Sequence, residues 1–199
     1  MRQYAVVFAM MVASLYGATE ASLAQHQDHK AKSTSQDSSS IQQNRKESAG
    51  VNAKNAAAVK QIIASYLKLK NALVSDKSND AAKAGKEIVE ALGTLDKSLL
   101  TTEQAKLYED VGEDAREHAE HIGENAKNIG HQREHFAVLS QDVYDLVKTF
   151  GAGQLLYKNF CPMYNDKKGA IWLSETKTIK NPYYGKKMLT CGEFQEELK

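Results

Sequence analysis

Two cysteines and two methionines carry the most distinctive chemistry in the chain. Cys161, Pro162 and Met163 open the stretch CPMYNDKKGAIWLSETKTIKNPYYGKKMLTCG, and Met188, Leu189, Thr190 and Cys191 bring it to its close, so each end offers a thiol and a thioether a short step apart. The same stretch holds both prolines and the one tryptophan of the chain. Polarizable thiolate and thioether sulfur selects soft ions such as Cu(I) over the harder Mg or Ca. Cys161, Met163, Met188 and Cys191 are therefore candidate copper ligands. The same two thiols admit a second reading: a Cys161–Cys191 disulfide would stabilise the intervening loop by roughly 3 to 4 kcal/mol on the chain-entropy argument. Spacing alone does not separate ligands from a bridge. Both readings stay open at this point, as does the simpler one in which Met163 and Met188 fill apolar gaps.

Imidazoles form a second group. His118 and His121 stand three apart and His131 and His135 four apart, so each pair shares one face of a helix. Such pairs are a familiar metal-ligand geometry. Glu113, Asp114, Glu117, Glu120, Glu124 and Glu134 surround them, which favours a solvated, charged face for His118 and His131. His121 and His135 lie closer to the apolar stripe and are the better candidates to reach a metal held by the sulfurs. His26 and His29 belong to a polar tail and read as solvated.

Helices must position these groups. Val59, Ile62, Ile63, Tyr66, Leu69, Leu73 and Val74 recur at spacings of three and four and form one apolar stripe. A second helix starts at Asn79 or Asp80 and buries Ala81, Ala84, Ile88, Ala91, Leu92 and Leu95. The third follows Thr101, whose spacing to Gln104 is that of a capping box; its stripe is Tyr108, Val111, Ala115, Ala119 and Ile122. Gly123, Asn125, Asn128 and Gly130 place a turn within 122–128. The fourth helix then runs to about Phe150, with Phe136, Leu139, Val143, Leu146 and Val147 inward. The expected fold is all-α: an antiparallel four-helix bundle with an irregular Cys/Met/aromatic-rich segment at about 151–194 packed on it. Within that segment Ala170 to Ser174 suits a short strand. Asn181, Pro182, Tyr183, Tyr184 and Gly185 read as a turn that folds Met188 and Cys191 back toward Cys161 and Met163, with Trp172 as part of a small core.

The remaining sequence bounds compartment and class. Arg2, the apolar run AVVFAMMVASL and the small residues Ser22 and Ala24 read as a signal peptide over 1–24, so a periplasmic or secreted protein is expected. The apolar run is too short for a stable membrane anchor. Residues 25–52, rich in Ser, Gln, Lys and Asp, read as a disordered linker, and residues 53–199 as the folded domain. A net charge of +1 gives no electrostatic case for nucleic acid. Nucleophile elbow, HExxH, P-loop and dinucleotide patterns are missing, and the cysteines do not form a CxxC pair, so an enzyme is not expected.

Gln132, Arg133, Phe136, Leu139 and Ser140, then Cys161, Pro162 and Met163, then Gly169, Ala170, Trp172, Leu173 and Ser174, and finally Ile179, Asn181, Pro182, Tyr183, Tyr184, Gly185, Met188, Cys191 and Gly192 form an ordered pattern. It resembles that of an exported bacterial domain family of unknown function, also found at the C-terminus of periplasmic adaptor subunits of copper and silver efflux pumps of the resistance-nodulation-division class. The resemblance spans roughly residues 56–194. It implies a periplasmic protein linked to copper or related heavy metals, free-standing and metal-binding or chaperone-like, with a pump adaptor as a partner. The alternative is a non-catalytic interaction module whose disulfide rigidifies a docking cap.

Overall fold

The computed structural model describes the backbone of residues 38–199, and the surroundings of side chains from residue 53 onward. The expected signal peptide and the first half of the expected linker lie outside the described residues. Four long helices come first: α1 (Ser38–Val74), α2 (Ser78–Gly93), α3 (Thr102–Glu124) and α4 (Ile129–Phe150). Three strands follow: β1 (Leu156–Cys161), β2 (Ala170–Ser174) and β3 (Glu193–Leu198). Among the described residues, no helix is long and apolar enough to cross a membrane.

Helix α1 begins at Ser38, fifteen residues before the expected start of the folded domain at 53, so residues 38–52 of the expected linker are helical. Gln, Arg, Lys and Glu are good helix formers and the segment has no proline, so the weaker Gly50, Asn44 and Asn52 do not stop extension of a helix already nucleated downstream. From Val59 on, the expected stripe is buried, with Ile62, Tyr66, Leu69 and Leu73 fully enclosed. The inward residues expected of α2 and α4 are likewise buried, whereas Val111 of α3 is only partly so. α1 packs on α2, α2 on α3, α3 on α4, and α4 returns to α1. Close approach of α2 and α3 depends on Gly85 and Gly123: a Cβ on Gly85 would lie 2.8 Å from the Ala119 carbonyl oxygen.

The helix ends explain the connections. Thr101 Oγ1 accepts the Gln104 N–H while Gln104 Oε1 accepts the Thr101 N–H, the reciprocal capping box expected from their spacing. Between α3 and α4, Asn125 Nδ2 donates to the His121 carbonyl at 2.8 Å, and Asn128 Oδ1 accepts the His131 N–H at 3.2 Å. Each helix end thus has one of its open backbone groups satisfied by a side chain of the turn. The turn falls within the expected 122–128.

The C-terminal segment corrects the all-α expectation. It is a three-stranded antiparallel sheet in the order β2-β1-β3, with Asn159 opposite Trp172 on one side and opposite Phe194 on the other. Two features hid it. β1 buries Leu156, Asn159 and Cys161 rather than every second residue, so it shows no clean apolar alternation, and its register against β3 shifts between Lys158 and Asn159, where Gln195 of β3 is the extra residue. β3 reads EFQEEL, with only Leu198 buried, and offers no apolar alternation. The β1–β2 connection contains three successive left-handed residues, Asn165, Asp166 and Lys167, a conformation that L-residues rarely string together.

The sheet lies against α4 and α1. Trp172 is fully buried and meets Tyr183 edge-on; Phe136 lies between Tyr66 and Tyr183, with ring centroids 5.3 and 5.6 Å away. Arg133 fastens the NPYYG turn: Nε donates to the Pro182 carbonyl, and one terminal nitrogen donates to the Leu73 carbonyl and to Asp76 Oδ1 at 2.7 Å. Asn181 organises the turn from within, accepting the N–H groups of Tyr183 and Tyr184 and donating to the Cys191 carbonyl. Gln132, beside Arg133, bonds the Ser78 hydroxyl and the carbonyls of Ser78 and Ile122, joining the starts of α2 and α4 to the end of α3. Its amide satisfies backbone groups that helix ends leave open.

Candidate metal centre

The turn that brings α3 back against α4 also sets the histidines. His121 sits in the last turn of α3 and His131 in the first turn of α4, each beside one of the two capping asparagines. His135 follows one turn after His131. His121, His131 and His135 each offer a nitrogen, and these atoms all lie within 4.8 Å of one another. The His121 and His135 rings stack with centroids 4.4 Å apart and 13° between planes, and His131 meets His135 edge-on at 4.4 Å. All three side chains are half-buried, so the group is reachable from solvent.

His118 closes the cluster from one turn back on α3. Its Nδ1 lies 2.8 Å from Nδ1 of His135, a hydrogen bond in which one ring must carry the proton and the other the lone pair. Carboxylates stand behind the other rings: Asp114 Oδ1 is 3.5 Å from His118 Nε2, Glu117 Oε1 is 3.8 Å from His121 Nε2, and Glu134 Oε2 is 3.5 Å from His131 Nδ1. Burial, then the neighbouring His121, His131 and His118, push the His135 pKa down to about 4, against a smaller opposing effect of Glu134. At neutral pH His135 is therefore an uncharged imidazole with a free lone pair, the form that binds metal.

Chemically, three neutral imidazoles suit Cu(II), Zn(II) and related borderline ions. Ligand nitrogens sit about 2.0 to 2.1 Å from such an ion, hence at most about 4 Å from each other. Small side-chain rotations bring the three atoms to that spacing, and the other coordination positions stay open to water or a fourth ligand.

The sulfur residues lie elsewhere. Cys161, at the end of β1, is buried and Cys191 is half-buried; both are free thiols here, and they are hydrogen-bonded neighbours. Burial first, and then Cys161 beside it, push the Cys191 thiol up from its ordinary value, which disfavours its thiolate. Met163 and Met188 are 45% and 39% exposed, so neither is the apolar gap-filler that a methionine beside an aromatic cluster suggests. The expected turn does bring Cys191 back to Cys161. It does not bring the cysteines to the histidines: neither joins the cluster that His121 and His135 form with His131. At that spacing the imidazoles and the two thiols form separate groups, where the sequence suggested one mixed site. The aromatic and turn residues Trp172, Asn181, Pro182, Tyr183, Tyr184 and Gly185 seat the sheet, as above.

His131 and His118 are the residues that sequence reasoning undervalued. Their signal was present in the i, i+3 and i, i+4 spacings, but the acidic neighbours were read as a solvated face. In the fold three of those acids, Asp114, Glu117 and Glu134, stand beside His118, His121 and His131, where metal-binding histidines commonly have a carboxylate partner.

Residues 62–154 match a family described as Protein of unknown function (DUF3347). The matched span supports kinship with a domain family of unknown function over the helical part of the chain. It contains all four clustered histidines and stops before β1 and both cysteines. No curated protein and no solved structure matches the chain.

Proposed function

We propose that the chain is an exported metal-binding protein of copper homeostasis whose principal site is the His121, His131 and His135 triad at the α3–α4 turn. The observation that carries this reading is the convergence of three nitrogen donors within 4.8 Å on two helix ends fixed by asparagine caps. A ligand set preorganised on capped helices loses less freedom on binding than one assembled from loops. The four helices form the antiparallel bundle that supports the site, and the protein works beside a heavy-metal efflux system, whose adaptor is the partner the sequence resemblance suggests. The role is binding rather than catalysis.

Equilibrium dialysis of the mature chain against Cu(II) tests this reading. One ion bound per chain, lost in the combined His121→Ala, His131→Ala and His135→Ala variant, supports it; undiminished binding by that variant overturns it. A second reading rests on the adjacency of Cys161 and Cys191: in an oxidising compartment these thiols close to a disulfide and the sheet becomes a rigid docking cap. Alkylation before and after reduction distinguishes the two thiol states.

A further inference from the structure

The cluster holds four imidazoles, but they are not equivalent. His118 Nδ1 and His135 Nδ1 face each other at 2.8 Å, and His118 Nε2 points to Asp114 Oδ1 at 3.5 Å. A neutral imidazole carries one N–H and one lone pair, so the pair has two arrangements: His118 donates to His135, or His135 donates to His118. In the first, the lone pair of His118 Nε2 faces a carboxylate that also has only lone pairs to offer. In the second, His118 carries its proton on Nε2, directed at Asp114, and its Nδ1 accepts from His135. Only the second gives each nitrogen a complementary neighbour. It leaves the lone pair of His135 on Nε2, free for an ion.

We propose that His118 is a positioning residue and not a fourth ligand: a chain from Asp114 through His118 to His135 fixes the tautomer and tilt of His135 so that its Nε2 faces the ion bound by the triad. This rests on the triad reading. His121 and His131 each have a carboxylate neighbour of their own, Glu117 and Glu134, whereas the hydrogen-bond partner of the His135 ring is His118. His118 therefore does for His135 what a carboxylate or carbonyl does for most metal-bound histidines, with Asp114 behind it in turn. In this arrangement His118 Nδ1 is taken up by His135 and Nε2 carries the proton, so His118 has no free lone pair for an ion.

Long-range proton–nitrogen NMR correlation on the full mature chain, titrated with Zn(II) as a diamagnetic probe, reads the tautomer of each ring. The expected result is metal-shifted nitrogens on His121, His131 and His135, with His135 metallated at Nε2 and protonated at Nδ1, and His118 unmetallated and protonated at Nε2. A metal-shifted His118 nitrogen, or His135 metallated at Nδ1, overturns the proposal while leaving metal binding at the cluster intact. Failure of any histidine nitrogen to shift overturns the triad reading, and the proposal with it. Substitution supplies the second readout. His118→Leu is expected to weaken Zn(II) binding about 10- to 100-fold, and His118→Gln, whose amide oxygen accepts the His135 proton, to restore most of that loss. Equal weakening by both variants, each verified as folded by circular dichroism, contradicts a positioning role.

Discussion

The hydroxyl of Tyr66, in the C-terminal third of α1, accepts the backbone N–H of Leu173 on β2 at 3.0 Å and shares a 2.8 Å hydrogen bond with Ser140 Oγ on α4. One buried oxygen thereby joins two helices to the sheet. Tyr66→Phe keeps the ring stacked on Phe136 but leaves the Leu173 N–H and the Ser140 hydroxyl without that partner inside the core. An unsatisfied buried polar group costs about 1 to 3 kcal/mol. Urea unfolding of Tyr66→Phe should show a loss in that range, and Tyr66→Phe combined with Ser140→Ala a smaller further change than Ser140→Ala alone in the parent chain.

Asp142 makes stability depend on pH. It lies buried on α4 with Oδ2 unpaired, and burial, followed by Asp114 and Asp145, raises its pKa from 3.8 to about 7. Between about pH 4 and 7 the folded chain keeps a proton that the unfolded chain has released, so this residue lowers stability progressively as pH rises through that window. Asp142→Asn removes the charge. The variant should be more stable than the parent by roughly 2 to 4 kcal/mol above pH 8, with the difference shrinking toward pH 4. A constant difference across the range would sink this account.

Lys70 and Glu175 tie α1 to the end of β2 with a 2.7 Å ion pair in which the lysine is almost wholly buried. Burial lowers the Lys70 pKa, with Glu175 opposing the shift. Removing the acid leaves a buried cation without its counterion, while removing the lysine leaves a carboxylate that is partly exposed and still accepts a hydrogen bond from Asn71. Glu175→Ala should cost about 1 to 3 kcal/mol in thermal or urea unfolding, and Lys70→Met should be close to neutral. The reverse order would contradict a pair held at a desolvation cost.

Gly185 adopts a φ of +55°, and a Cβ there would collide with Asp76 and Arg133, the contact that fastens the NPYYG turn. Gly185→Ala should therefore destabilise the chain by about 2 kcal/mol or more, and limited proteolysis should find the C-terminal sheet released before the helices. Cleavage that begins within α2 or α3 would contradict this.

Much of this architecture was legible where side chains act locally. The Thr101 and Gln104 cap, the asparagines around the α3–α4 turn, the bounds of β2 and the Asn181 turn each express a preference that neighbouring residues satisfy among themselves. β1 and β3 were not legible, because β1 buries the polar Asn159 between Leu156 and Cys161 without a period-two apolar pattern, and β3 is a mostly polar, bulged strand held by backbone pairing. The site was half legible. Both histidine pairs stood out, but their meeting depends on which face of α4 turns to α3. His131 and His135 face α3, whereas Arg133 reaches the C-terminal turn, and Glu134, Ala137 and Val138 line a surface with Tyr164 and Tyr184. That division of one helix is a tertiary fact.

The central claim is that imidazole, and not sulfur, holds the ion. X-ray absorption fine structure at the copper edge of the copper-loaded mature chain tests it most directly. The account predicts a first shell of nitrogen and oxygen with the outer-shell scattering of about three imidazole rings, unchanged by Cys161→Ser with Cys191→Ser. A sulfur shell that disappears in that double variant would contradict it and return the ion to the cysteines.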